Sequence, residues 1–135
     1  MDYAYDVSGN LIKQTDTIGR EAVYEYDQFN RLVSVTGTDG AETKYAYDPL
    51  DRLTSVIQAD GTVTTYEYDA AGNLTRMTEP GEAVYTYAYD AINRVTEEVN
   101  PVGAATTFQY DAKGNLTAAT DGEGNTTAYT YDAID

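Results

Sequence analysis

Seven aspartates recur in this sequence at one spacing, each directly behind a tyrosine: Tyr-Asp pairs begin at residues 5, 26, 47, 68, 89, 110 and 131, so every interval is 21. Carboxylates at fixed spacing could do two kinds of chemistry. Two of them across a cleft could act as the acid and base of a glycosidase, and a cluster could hold calcium. Glycoside hydrolysis needs two carboxyls in contrasting environments, however, and seven equivalent acids supply no contrast. For calcium, Asp121-Gly-Glu-Gly-Asn125 echoes the start of an EF-hand loop but lacks the bidentate Glu and the flanking helices. The chain has no Cys and no His, which removes thiolate zinc sites, cysteine nucleophiles and imidazole bases. No catalytic residue, cofactor or metal is expected, and the protein is not read as an enzyme.

Turn chemistry accounts for the same acids. With Tyr as the first column of a 21-residue repeat and Asp as the second, the fifth column reads Gly9, Asn30, Asp51, Gly72, Asn93, Gly114 and Asp135. Only residues that tolerate a left-handed backbone occur there. Asp6, Asp27, Asp48, Asp69, Asp90, Asp111 and Asp132 are therefore predicted to open a type I turn that a left-handed residue closes as a G1 bulge. The carboxylate would accept from the amides ahead of it in an Asx-turn. A second set of turns lies half a repeat later, at 16–19, 37–40, 58–61, 100–103 and 121–124, each closed by Gly. Glu79-Pro80-Gly81-Glu82 shifts its Gly forward and reads as a type II turn. Pro49, Pro80 and Pro101 all fall on second turn residues, where a fixed φ fits and no ladder donor is lost.

Between turns lie segments of strand length rich in Thr, Val and Tyr, and none has a helical period. The expected fold is all-β: tandem 21-residue β-hairpins in one continuous, curved antiparallel sheet of about 12 strands. As a domain it reads as one array over residues 1–135, six full repeats from Tyr5 plus a truncated seventh, cut from a longer array. Strand alternation puts the aromatics on one face as a structural ladder: Tyr5, Tyr24, Tyr26, Tyr45, Tyr47, Tyr66, Tyr68, Tyr87, Tyr89, Phe108, Tyr110, Tyr129 and Tyr131, with Tyr3 ahead of them. The strand after each Asp turn is ambiguous. Leu11, Leu32, Leu53, Leu74, Val95 and Leu116 sit an odd number of residues from Val35, Val56 and Met77, so a bulge or two half-buried faces would each explain them. Repeats also come in two kinds, with Gly-Asn at residues 9, 72 and 114 but Asn-Arg or Asp-Arg at 30, 51 and 93. In the Arg repeats Phe29, Leu50 or Ile92 is expected to pack over its neighbour while Arg31, Arg52 and Arg94 pair with nearby acids.

A formal charge of −15, from 23 acids and 8 bases, repels phosphate backbones and anionic lipid, so nucleic acid is not an expected partner. No stretch approaches the roughly 20 apolar residues of a membrane helix, and the first residues lack a secretion signal's pattern. Membrane insertion is not expected, and any export signal would lie outside this chain.

Tyr68-Asp-Ala-Ala-Gly-Asn-Leu-Thr75, with its Asp-Gly turn and the Tyr-x-Tyr-Asp return, resembles the YD repeats of the Rhs family over the whole chain. That family includes bacterial Rhs and insecticidal toxin-complex proteins and the animal teneurins. The resemblance implies a spiralling β-sheet shell around a toxin or other unfolded cargo, with the Tyr pairs and turn Asp as shell-building positions. The expected function is a structural wall segment of such a shell, in a secreted or cell-surface protein. Its expected partners are other YD repeats of the same or a longer chain, a protein cargo, or a further copy joined through open sheet edges. Two other readings stand beside it. Open edges could pair end to end and build an extracellular filament, and a wet row of Tyr could bind carbohydrate or a cell surface as an adhesion module.

Overall fold

A computed structural model describes residues 1–132 of the chain. Asp135, expected at a left-handed position, and with it the end of the turn expected after Asp132, lie outside the described residues. The fold is all-β, with 13 strands that follow one another in chain order in a single antiparallel sheet without a crossover. The count exceeds the expected twelve because β1 (Asp2–Tyr5) precedes the first repeat. The strands group into two compact units, Met1–Thr65 and Tyr66 onward.

In the first unit β1 is followed by β2 (Leu11–Thr15), β3 (Glu21–Tyr26), β4 (Leu32–Thr36), β5 (Glu42–Tyr47) and β6 (Leu53–Ile57), and β7 (Val63–Tyr68) begins here. The ambiguity after each Asp turn resolves as a bulge. Glu25 faces Ser34 but Tyr26 faces Leu32, which leaves Val33 as an extra residue. Ile12 and Thr54 are extra in the same way, opposite Ala4/Tyr5 and Ala46/Tyr47. The inserted residue restores the phase of the alternation, so Leu32 opposes Tyr26 and Val35 opposes Tyr24 on one face. The other face of β3 carries Glu21, Val23 and Glu25, all exposed. There Lys13 forms an ion pair with Glu21, two exposed groups whose contribution is about 0–1 kcal/mol.

Ladders on the two sides of a strand differ in length. Pairing between β2 and β3 stops at Lys13↔Val23, and between β4 and β5 at Ser34↔Lys44. Leu11 and Leu32 are thus past the last pair on that side, and their carbonyls need another donor. Tyr hydroxyls supply it.

The second unit repeats the pattern in β8 (Leu74–Glu79), β9 (Ala83–Tyr89), β10 (Val95–Val99), β11 (Ala105–Tyr110), β12 (Leu116–Thr120) and β13 (Thr126–Ala128). Thr96 and Thr117 are the extra residues of its bulges. The turn between β8 and β9 carries one positive φ beyond the one the type II reading expects. Gly81 takes φ 81° as that turn requires, but Glu82 behind it is left-handed too, at 63°. Moving the Gly forward left a non-Gly residue to close the hairpin.

No apolar side chain among the described residues is buried, and the sole buried residue is Ser34, whose hydroxyl donates to Glu42 Oε1 at 2.9 Å. Stability therefore rests on ladders, turns and half-buried rings.

Candidate functional site

The Asp turns and the Tyr rows meet along one edge of the sheet, and the residues singled out from the sequence converge there. Each of the six described Asp turns is a five-residue loop with the same backbone bonds. The Asp27 amide donates to the Arg31 carbonyl at 2.9 Å, and the Asn30 amide donates back to the Asp27 carbonyl at 3.0 Å. Asp6, Asp48, Asp69, Asp90 and Asp111 repeat this bridge. The six described fifth-column residues are all left-handed: Gly9 at φ 86°, Asn30 at 61°, Asp51 at 63°, Gly72 at 95°, Asn93 at 64° and Gly114 at 98°.

Both carboxylate oxygens are engaged. Asp6 Oδ1 accepts from the Ser8 and Asn10 amides, and Oδ2 accepts from Asn10 Nδ2, each at 2.9 Å. In the Arg turns a guanidinium replaces the Asn amide: Arg52 Nε donates to Asp48 Oδ2 and Arg94 Nε to Asp90 Oδ2, both at 2.7 Å. Opposite signals act on these acids. The Asn10 and Asn73 side-chain bonds hold Asp6 and Asp69 below the usual carboxylate range. At Asp27 and Asp48 burial pushes the other way, and the bonds from Arg31 and Arg52 outweigh it. At Asp90 and Asp111 the leading causes are the backbone amides of Arg94 and Asn115. A carboxylate held this way is a poor base and has few lone pairs to spare for a cation. Among the described residues no three acids gather as a metal site.

An unfolded Asp titrates near about 4, and these folded ones lower, so the unfolded chain binds more protons as pH falls. Stability should be level above about pH 5 and drop below about pH 4, toward the folded pKa values. Urea midpoints in about 0.5 M salt, which screens the net repulsion, would test this. A midpoint unchanged down to about pH 2.5 would contradict the role given to the turn acids.

The Tyr hydroxyls of the first column fill the gaps left where ladders stop. Tyr26 donates to the Leu11 carbonyl at 3.0 Å and Tyr47 to the Leu32 carbonyl at 2.9 Å. Tyr89, Tyr110 and Tyr131 donate to the carbonyls of Leu74, Val95 and Leu116 at 2.7, 2.8 and 2.9 Å. Burial raises the hydroxyl pKa at Tyr47, Tyr87 and Tyr89. Tyr24, Tyr45, Tyr66, Tyr68 and Phe108 are half-buried on the same face, whereas Tyr3, Tyr5, Tyr129 and Tyr131 are exposed.

Successive turns are also braced to each other. Asn10 Nδ2 donates to Asn30 Oδ1 at 2.9 Å, and Asn73 Nδ2 to Asn93 Oδ1 at 2.8 Å. Arg31 Nη1 reaches Asp51 Oδ1 at 2.8 Å and the Asp48 carbonyl at 3.0 Å. Its guanidinium lies 5.0 Å from the Tyr47 ring and 5.1 Å from the Phe29 ring, and that of Arg94 lies 4.5 Å from Tyr110. The Arg–acid pairing was thus legible in the sequence, but not its reach across turns. The packing expected of Phe29, Leu50 and Ile92 is slight: all three stay exposed at their turn tips, although the Phe29 ring lies against the Arg31 guanidinium of its own turn. An open cleft of about 410 Å³ lies between the two Arg turns of the first unit, lined by Phe29, Arg31, Tyr47, Asp48, Pro49 and Asp51.

Sequence reasoning also missed Asp39 and Asp60. Where Gly37 and Gln58 open a turn without a carboxylate, these acids two residues on accept from the Ala41 and Thr62 amides at 3.0 and 2.9 Å. The signal was present, since Asp precedes the closing Gly only in those two turns.

The family model described as RHS Repeat matches residues 5–42, 29–63, 47–84, 72–107, 89–126 and 110–135. Similar solved structures include TcdB2-TccC3 without its hypervariable C-terminal region, 21% identical, covering 97% of this chain and 9% of that chain with a TM-score of 0.78. TcdB2-TccC3-Cdc42 is 21% identical over 88% of this chain and 8% of that chain, with a TM-score of 0.74. The Photorhabdus luminescens Tc holotoxin pore is 18% identical over 93% of this chain and 9% of that chain, with a TM-score of 0.67. The chain thus spans less than a tenth of these proteins. No curated protein sequence matches it.

Proposed function

Because the chain belongs to the RHS repeat family, matched from residue 5 to residue 135, we propose that it is a structural wall segment of a longer repeat shell that encloses protein cargo outside the cell. The observation that carries this reading is the use made of the shared residues. The hydroxyls of Tyr26, Tyr47, Tyr89 and Tyr110 and the carboxylates of Asp6 and Asp69 are spent on joining one hairpin to itself or to the next. Such residues build a surface, and the reading assigns them no catalytic step. The structural likeness to Tc toxin components supports the enclosing role. An adhesive row of Tyr fits less well, because stacking on a sugar needs an open ring face and Arg31 and Arg94 cover Tyr47 and Tyr110.

Substituting these repeats for the matched stretch of TcdB2-TccC3 tests the reading. A wall segment should leave the shell closed, with the enclosed region still resistant to added protease. A chimera that elutes as a folded particle on a sizing column and yet exposes that region to cleavage would overturn it.

A further inference from the structure

We infer that the residue after each left-handed position selects which repeat can follow: asparagine there requires a side-chain acceptor on the next turn, and arginine does not. The inference is independent of the shell reading and concerns a recognition surface between hairpins, whose partner is another hairpin of the same class.

The geometry sets the rule. Asn10 and Asn73 each hold their own turn acid with Nδ2 and donate from the same nitrogen to the next turn, where Asn30 and Asn93 supply Oδ1. An Asn side chain is short, and the acceptor it finds projects from the next left-handed residue. Arg carries its donors three atoms further out. Arg31 reaches both the Asp51 side chain and the Asp48 carbonyl. Arg94 meets Gly114, which has no side chain, and donates instead to the Asp111 carbonyl at 3.2 Å.

The sequence obeys the same rule at every step. Asn10, Asn73 and Asn115 are followed 20 residues on by Asn30, Asn93 and Asp135, whereas Arg31, Arg52 and Arg94 are followed by Asp51, Gly72 and Gly114. Glycine never follows asparagine. This explains why three non-Gly residues occupy a conformation that glycine adopts at lower cost: Asn30, Asp51 and Asn93 are each an acceptor for the preceding repeat. Glu82 is the control. It is left-handed at φ 63° and exposed, on the opposite edge, outside the Asp turns.

Thermal denaturation of the full chain carrying Glu82→Gly, Asn30→Gly, Asn10→Arg, or Asn10→Arg with Asn30→Gly tests the rule. Glu82→Gly should raise Tm by about 2–4 °C, the shift expected of relieving one left-handed side chain. Asn30→Gly relieves a similar φ but removes the acceptor of Asn10, so it should give no gain or a loss of about 2 °C. The double variant should recover at least about 3 °C over Asn30→Gly, although Asn10→Arg alone moves Tm by less than about 1 °C. Nuclear magnetic resonance of the Asn10 side-chain amide should show faster exchange in Asn30→Gly and not in Glu82→Gly. Equal gains from Asn30→Gly and Glu82→Gly, or a double variant at the sum of its parts, would overturn the inference.

Discussion

Replacing Tyr47 with alanine is expected to lower the stability of the chain by about 3 kcal/mol, a large fraction of what a domain of this size possesses. Three losses combine at this position. The ring is half-buried against Leu53, which it faces across the ladder, so truncation opens a gap on the packed face. The hydroxyl leaves the Leu32 carbonyl without its donor, which costs about 1 kcal/mol. The guanidinium of Arg31, 5.0 Å from the ring, loses its platform. Tyr47→Phe separates these terms, since it keeps the ring and removes only the hydroxyl, and should cost about 1 kcal/mol. Urea unfolding of both variants checks the partition. If alanine and phenylalanine cost the same, the ring carries nothing; if both leave the midpoint unmoved, the Tyr face is available for some other purpose.

Gly72→Val should cost roughly 2–3 kcal/mol while Ala71→Val, one residue earlier, changes stability by less than about 0.5 kcal/mol. The contrast isolates backbone strain from packing. A Cβ at Gly72 would meet nothing within 4 Å, so no steric clash with neighbours contributes. What forbids valine is φ at 95°, a region in which a β-branched side chain collides with its own backbone. Ala71 precedes the left-handed residue, at an exposed turn tip. Chemical denaturation midpoints of the two variants, compared with Gly72→Asn as an intermediate case, provide the measurement. Equal effects of the two valines would contradict the turn geometry.

These two sites also show how far the sequence could be read. The spacing of Tyr47 and its equivalents declared a hairpin array, because ring and turn recur together and period-2 alternation leaves few other folds. The chemistry at Gly72, where only Gly, Asn and Asp occur, declared a turn of one hand. The bulge was not legible, since its extra residues Ile12, Val33, Thr54, Thr96 and Thr117 are ordinary strand formers and the ladder around them fixes the slip. Nor was the use of the Tyr hydroxyls, which follows from where a ladder stops. Glu82 was missed because a Pro-Gly signal predicts the first positive φ of a turn and says nothing of a second.

A sheet in which no described apolar side chain is fully withdrawn from water has less apolar surface to release on melting than a cored domain. Its unfolding heat capacity should therefore fall below the usual value of about 12–15 cal/mol/K per residue. Curvature in the free energy of unfolding comes from that heat capacity alone, so the stability of this chain should vary gently with temperature. Enthalpy from ladders and turn bonds, which depends weakly on temperature, would then set the melting point, and the cold limit would recede far below the freezing point of water.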